Sequence, residues 1–205
     1  MSMAAKRKFA SDNFIGAPVE IWNPDHIRYG RGFECERAEF CEFWLERIPR
    51  DVRGKVCQCW VITEGEKLVG YITLLTDRLE KPRLRGGLKP LLTKEGIGYT
   101  SFPAVKIGLL ATDMNSNGAG RRLVRWALYH IATEIPKRVG VRFVTVDALY
   151  DADVHYDASL FYLRFGFKYV NPNQKLPPDK PYRTMYFDIL EFENEIRFAE
   201  QEIIE

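Results

Sequence analysis

Asn115-Ser116-Asn117-Gly118-Ala119-Gly120-Arg121-Arg122 is the stretch of this 205-residue chain whose residue types and spacing point most directly to chemistry. A strand-like run, Ala104 to Asp113, precedes it, and an amphipathic helical pattern follows. Strand, glycine turn, helix is the order that makes an anion site. The first turn of a helix leaves N–H groups unpaired and carries about half a positive charge. Glycine, with no Cβ, lets the backbone come close to a phosphate. A P-loop would need Lys-Ser/Thr after its last glycine, and Arg121-Arg122 stand there instead. A dinucleotide fingerprint would need Gly or Ala three residues after Gly120, where the chain has Leu123. By itself the turn reads first as a helix entry with no ligand.

Two further stretches change that reading. With them, the motif resembles the acyl-coenzyme A pyrophosphate loop of the GNAT superfamily of N-acetyltransferases, Gln/Arg-x-x-Gly-x-Gly/Ala, with Asn115 in its first position. Pro103 to Asp113 resembles the fourth strand of that superfamily, and Ser159 to Phe167 resembles its late Phe-Tyr-x-x-x-Gly-Phe signature. The resemblance covers about residues 55 to 189 and is nearest the branch holding the acetyltransferase toxins and their stand-alone relatives. Leu109 stands where that branch often has arginine, and Asn117 replaces its bulky basic residue before the first loop glycine.

The resemblance implies an α/β fold, with a mixed, mostly antiparallel central sheet flanked by helices on both faces. It implies an enzyme that moves an acetyl group from acetyl-CoA to a primary amine, without a metal. Leu110, Ala111 and Thr112 match the positions that pair with the pantetheine arm, and a backbone N–H there would serve the oxyanion. The pyrophosphate would rest on N–H groups of Asn115, Asn117, Gly118, Ala119 and Gly120, with Arg121 or Arg122 adding charge. Tyr162 matches the tyrosine that protonates the departing thiolate. An unperturbed tyrosine has a pKa of about 10 against about 8.5 for a thiol, so the transfer is uphill by about 2 kcal/mol. Spacing alone would equally make Tyr162 a core aromatic. The general base is not fixed by the sequence; Glu134, Asp147, Asp113 and His155 are candidates by type only. Two other functions fit: a toxin-type transferase acting on aminoacyl-tRNA, and a non-catalytic acyl-CoA- or partner-binding module.

Composition sets the outer bounds. An apolar fraction of 46% is enough for a packed core, and a net charge of +2 neither requires nor excludes nucleic acid. No apolar run approaches the roughly 20 residues that span a bilayer, and no apolar core follows the basic N-terminus, so the expected location is cytoplasmic. Cys35, Cys41, Cys57 and Cys59 form no Cys-x-x-Cys pair, and His26, His130 and His155 are scattered, which argues against a metal site. Cys57 and Cys59 share a strand face and read as reduced, buried thiols.

Residues 1–17 read as a flexible tail, and 18–190 as the GNAT-like domain. Residues 18–33 should be irregular, apart from a short strand at Val19–Trp22. A helix fits Glu36–Ile48, ended by Pro49. Lys55–Thr63 and Leu68–Thr76 read as a hairpin. Residues 77–102 read as a basic insertion, with Arg78, Lys81, Arg83, Arg85, Lys89 and Lys94 against Asp77, Glu80 and Glu95. This insertion is either a flap for an anionic acceptor, such as RNA, or solvated surface. Ala104–Asp113 should be a central strand, joined by a helix at Arg121–Ile135 to a parallel strand at Arg142–Leu149. Asp151–Asp157 reads as loop, Ala158–Phe165 as a helix capped by Gly166, and Phe167–Val170 with Arg183–Ile189 as a last hairpin. A charged helix at 191–205 would pack on the domain or meet a partner, including a second copy of the chain.

Overall fold

The computed structural model describes residues 18–80 and 98–192. The expected tail at 1–17, most of the basic insertion and all but the start of the expected C-terminal helix lie outside these residues.

The strands are β1 (Val19–Ile21), β2 (Gln58–Glu64), β3 (Lys67–Glu80), β4 (Ser101–Thr112), β5 (Phe143–Asp151), β6 (Tyr156–Asp157), β7 (Lys168–Tyr169) and β8 (Tyr182–Asp188). They form one sheet in the order β1-β2-β3-β4-β5-β8-β7, with β6 paired to β5 off that path. Among the described residues only β4 and β5 pair in parallel. The mixed, mostly antiparallel sheet expected from the sequence is therefore the observed one.

Alternation along the strands divides the core. On one face lie Ile62, Ile72, Ile107, Val144 and Val146, under the stripe Leu123, Val124, Ala127, Leu128 and Ile131 of α2 (Ala119–Thr133). α2 joins the two parallel strands. On the other face Cys59, Val61, Tyr71 and Ala111 meet Trp44 and Ile48 of α1 (residues 38–53). A smaller apolar cluster, including Phe102, Phe143 and Tyr186, forms apart from that one. Among the described residues no helix is long and apolar enough to cross a membrane.

α1 does not end at Pro49. It runs as α-helix over Ala38–Glu42, widens to a π turn over Phe43–Arg47 and resumes over Ile48–Arg53. Proline has no N–H to give, and its ring crowds the carbonyl four residues back. Ile48 bonds instead to the carbonyl of Phe43, five residues back, and the widened turn lets the helix carry its proline. Three other expectations are corrected. Pro24–Gly30 is a 3-10 helix, capped by the Asn23 side chain on the Asp25 N–H. β3 continues to Glu80 and β4 starts at Ser101, so both ends of the supposed insertion are strand. Tyr156–Asp157 is a short strand on β5 rather than loop. Cys35 and Cys41 bring their sulfurs together across a Cα separation of 6.4 Å, while Cys57 and Cys59 are free thiols, Cys59 buried.

Candidate active site

The site begins with a break in the sheet. β4 and β5 keep register only from Ala104↔Phe143 to Ile107↔Val146, although both strands continue. The break follows a bulge in β4. Between Ile72↔Leu110 and Leu74↔Ile107, Gly108 and Leu109 share the space opposite Thr73. The Leu109 N–H, displaced from its ladder partner, donates to Thr73 Oγ1 at 2.8 Å. A Cβ on Gly108 would lie 2.8 Å from both Thr73 Oγ1 and Leu75 Cδ2, so the bulge needs glycine there.

Beyond the bulge, β4 presents an edge to the opening. The Asp113 N–H donates to Val69 of β3, at 2.9 Å, and Leu109 also donates toward β3. Alternation then turns the N–H groups of Leu110 and Thr112 toward the gap beside β5. The side chain of Leu110 packs under α2 and that of Ala111 on the α1 side, which fixes the edge between them.

At the end of β4 a buried carboxylate shapes the loop. Asp113 accepts from the Asn115 N–H at 3.0 Å and the Glu34 N–H at 3.4 Å, with Lys67 Nζ at 3.6 Å. Burial alone would raise its pKa, but these N–H groups and the lysine charge hold it below the usual carboxylate range. The Ser116 N–H and hydroxyl both turn back to the Asp113 carbonyl, at 2.9 and 2.7 Å. Gly118 then enters α2 with φ +81, a left-handed turn suited to glycine, and no side chain caps the helix. The first helical bond is Arg122 N–H to Gly118 carbonyl. The amides of Asn117 to Arg121 have no acceptor among the described residues. Of the N–H donors expected for a phosphate, that of Asn115 is thus already engaged by Asp113, and the amides left for such a cradle are those of 117–121.

Tyr162 lies on α3 (Ser159–Leu163), beside that cradle. A Cβ on Gly120 would stand 3.6 Å from Thr112 Cγ2 and 3.7 Å from Phe161 Cζ, so the end of β4, the start of α2 and α3 converge. Tyr162 is 6% exposed, edge-on to Phe161 and Phe167, and its hydroxyl has no protein partner among the described residues. Burial pushes its pKa up, with nearby Tyr156 adding to the effect. α3 is held by a buried polar cluster. Arg183 stacks on the Tyr169 ring at 3.9 Å and reaches the Tyr169 hydroxyl at 3.0 Å and Asp157 Oδ2 at 3.3 Å. The Asp157 carboxylate also receives the Ser159 N–H.

The four residues offered by type as general base lie in different settings. Asp147 is held by Lys106 Nζ and by Thr184 Oγ1, and Asp113 is committed to the loop. Glu134 follows the far end of α2 and pairs with Lys137 at 3.0 Å, while His155 is exposed in a left-handed turn. Sequence reasoning missed Thr73, which holds the β4 bulge, and Glu34, Arg37, Asp151 and Tyr156, which lie at the ends of β4 and β5. Their partners are distant in the chain, as with Arg37 and Asp151, 114 residues apart.

No family model matches the sequence, and no curated protein matches it. Solved structures do. A tyrosine-to-phenylalanine mutant of KacT aligns with 86% of this chain and 97% of its own, at a TM-score of 0.69 and 24% identity. The chain has the GNAT fold. AtaT complexed with acetyl-methionyl-tRNAfMet shares this GNAT fold at a TM-score of 0.66 and 23% identity, over 86% of this chain and 96% of that one. AtaTR bound with AcCoA gives 0.62 and 24%, over 86% and 95%. At these identities the likeness is one of fold.

Proposed function

We propose that the chain transfers an acetyl group from acetyl-CoA to a primary amine. The observation that carries the reading is the parting of β4 from β5 beside a helix entry whose amides 117–121 are open. An extended amide-bearing arm fits the Leu110–Thr112 edge as a missing strand would. A pyrophosphate fits amides at a helix N-terminus, where the macrodipole adds to the attraction. Gly120 supports it too, because nothing in the protein requires glycine there: an added Cβ would make only ordinary contacts. The similarity to a structure of AtaTR bound with AcCoA points the same way.

In this reading the N–H of Leu110 or Thr112 stabilises the carbonyl oxygen as it gains charge. Tyr162 acts as acid toward the sulfur. A tyrosine with its pKa raised by burial stays protonated at neutral pH, so its proton is always available. The same dry surroundings raise the pKa of a thiolate leaving group, which keeps the two groups close enough in affinity for a hydrogen bond to help. A cytoplasmic location suits a thioester substrate of this kind.

Calorimetry with CoA tests the assignment. The wild-type chain is expected to bind, and Gly120→Asp, which adds a carboxylate where phosphate belongs, is expected not to. Equal binding by the two proteins would refute the site.

A second reading names the acceptor as the amino group of an aminoacyl-tRNA. It is favoured by the likeness to AtaT complexed with acetyl-methionyl-tRNAfMet and by the run of Arg and Lys between positions 78 and 94. If that run contacts RNA, Arg83→Glu with Arg85→Glu raises KM for the acceptor, most at low salt. An unchanged KM at every ionic strength leaves this stretch as solvated surface and removes the main support for an RNA acceptor.

A further inference from the structure

Beyond the last pair Ile107↔Val146, no ladder pairing joins β4 to β5. The two lips of the gap are nevertheless connected through four consecutive residues, 34–37, which come from neither strand. At one end Glu34 accepts the Met114 N–H at 2.7 Å and donates its own N–H to Asp113 Oδ2 at 3.4 Å, gripping the loop after β4. At the other end Arg37 Nη1 donates to Asp151 Oδ2 at 2.8 Å, gripping the last residue of β5. The guanidinium also donates from Nε to Glu39 Oε1 at 2.8 Å and lies 5.9 Å from the Tyr156 ring centroid. Tyr156 pairs with Asp151 and lies within electrostatic reach of Tyr162.

We infer that Arg37 is a positioning residue that fixes the separation of the two lips, and with it the width of the cleft that takes acetyl-CoA. The inference rests on the proposed acetyl-CoA site. The physical reason is that two strands without a ladder between them keep their spacing through elements that bridge them; α2 packs across both on one face, and at the open end the bridge must be another element. Residues 34–37 supply that element, and the Arg37–Asp151 pair is its bond to β5. Both side chains are about three-quarters buried, at 23% and 26% exposure, so the pair is less screened than a surface pair. Glu39 orients the guanidinium in advance, which lowers the entropy lost in holding Asp151.

The test is a double-mutant cycle of Arg37→Gln and Asp151→Asn, read by calorimetry with CoA and by hydrogen exchange on the unliganded protein. Each single variant is expected to weaken CoA binding by about threefold or more, and the double variant by no more than either single one. Arg37→Gln is expected to speed amide exchange at Leu149–Asp151 and Tyr156 while leaving α2 protected. Wild-type CoA affinity in both single variants, or losses that multiply in the double variant, would overturn the role. If the wild-type chain binds no CoA, the acetyl-CoA reading fails. The strap then stands or falls on exchange alone, and unchanged rates at Leu149–Asp151 in Arg37→Gln reject it.

Discussion

Thr73 Oγ1 accepts the Leu109 N–H at 2.8 Å, and through that bond a side chain of β3 stands in for the ladder at the bulge of β4. The parting of β4 and β5 begins at the same level of the sheet. Thr73 is 2% exposed, so the bond is made out of water. Thr73→Val keeps the shape and removes the acceptor. A buried N–H left without a partner costs about 1–3 kcal/mol. The expected result is an unfolding free energy lowered by that amount, read as a lower denaturant midpoint at an unchanged slope, together with weaker CoA binding. A midpoint equal to the wild type would mean that the bulge holds without this bond.

The two loop glycines are expected to separate stability from binding. Gly118 has φ +81, and an L-residue forced into that region loses about 1–2 kcal/mol. Gly118→Ala should therefore lower Tm. Gly120 lies inside α2 with room for a Cβ, so Gly120→Ala should keep or raise Tm, by helix propensity of up to about 1 kcal/mol. Its methyl group would enter the space between Thr112 and Phe161, beside the amides proposed to hold the phosphate, and CoA affinity should fall. Thermal melts and calorimetry on both variants decide the matter; a Gly120→Ala protein that binds CoA as well as wild type contradicts the cradle.

Tyr162→Phe removes one hydroxyl and leaves the ring between Phe161 and Phe167. General-acid contributions are about 10²–10⁴-fold, or roughly 3–5 kcal/mol of barrier. The expected outcome is a kcat lowered by that factor with KM for acetyl-CoA nearly unchanged. A kcat within about twofold of the wild type, in single-turnover measurements that isolate chemistry, rejects Tyr162 as the acid.

The raised pKa of Tyr162 also predicts a dependence of stability on pH. In the unfolded chain tyrosine ionises near pH 10, while in the folded chain burial keeps Tyr162 neutral to higher pH. Its contribution is fully present below pH 10 and is lost as pH rises through the folded value. The stability difference between wild type and Tyr162→Phe should be flat below pH 10 and shift against the wild type above it. A difference that stays flat through alkaline pH would show that the Tyr162 hydroxyl is not desolvated.

Much of the frame was legible because its signals are local. The stripe of Leu123, Val124, Ala127, Leu128 and Ile131 can be satisfied only by a helix with one buried face, and it is α2. The turn at Glu64–Lys67 between two apolar runs gave the β2–β3 hairpin, while α3 ended earlier than expected, at Leu163 with Arg164 as its cap, and Gly166 makes the left-handed turn (φ +87) just beyond it. Spacing placed Tyr162 on the same buried side as Phe165, as observed. Pro49 misled because proline normally ends a helix; a π turn moved the affected bond by one residue instead.

The sequence by itself thus determined the order of the main strands and helices, the glycine turn ahead of α2 and the burial of Tyr162, since each depends on neighbours within a few positions. Tertiary structure alone decided where β4 leaves β5, which amides remain open and what spans the gap. Those outcomes depend on partners far apart in the chain, Thr73 with Leu109, Glu34 with Asp113 and Arg37 with Asp151. A polar or charged residue in a loop or strand has the same local pattern whether or not it meets such a partner. Only the packing of α1 and the twist of the sheet bring these pairs within hydrogen-bonding distance.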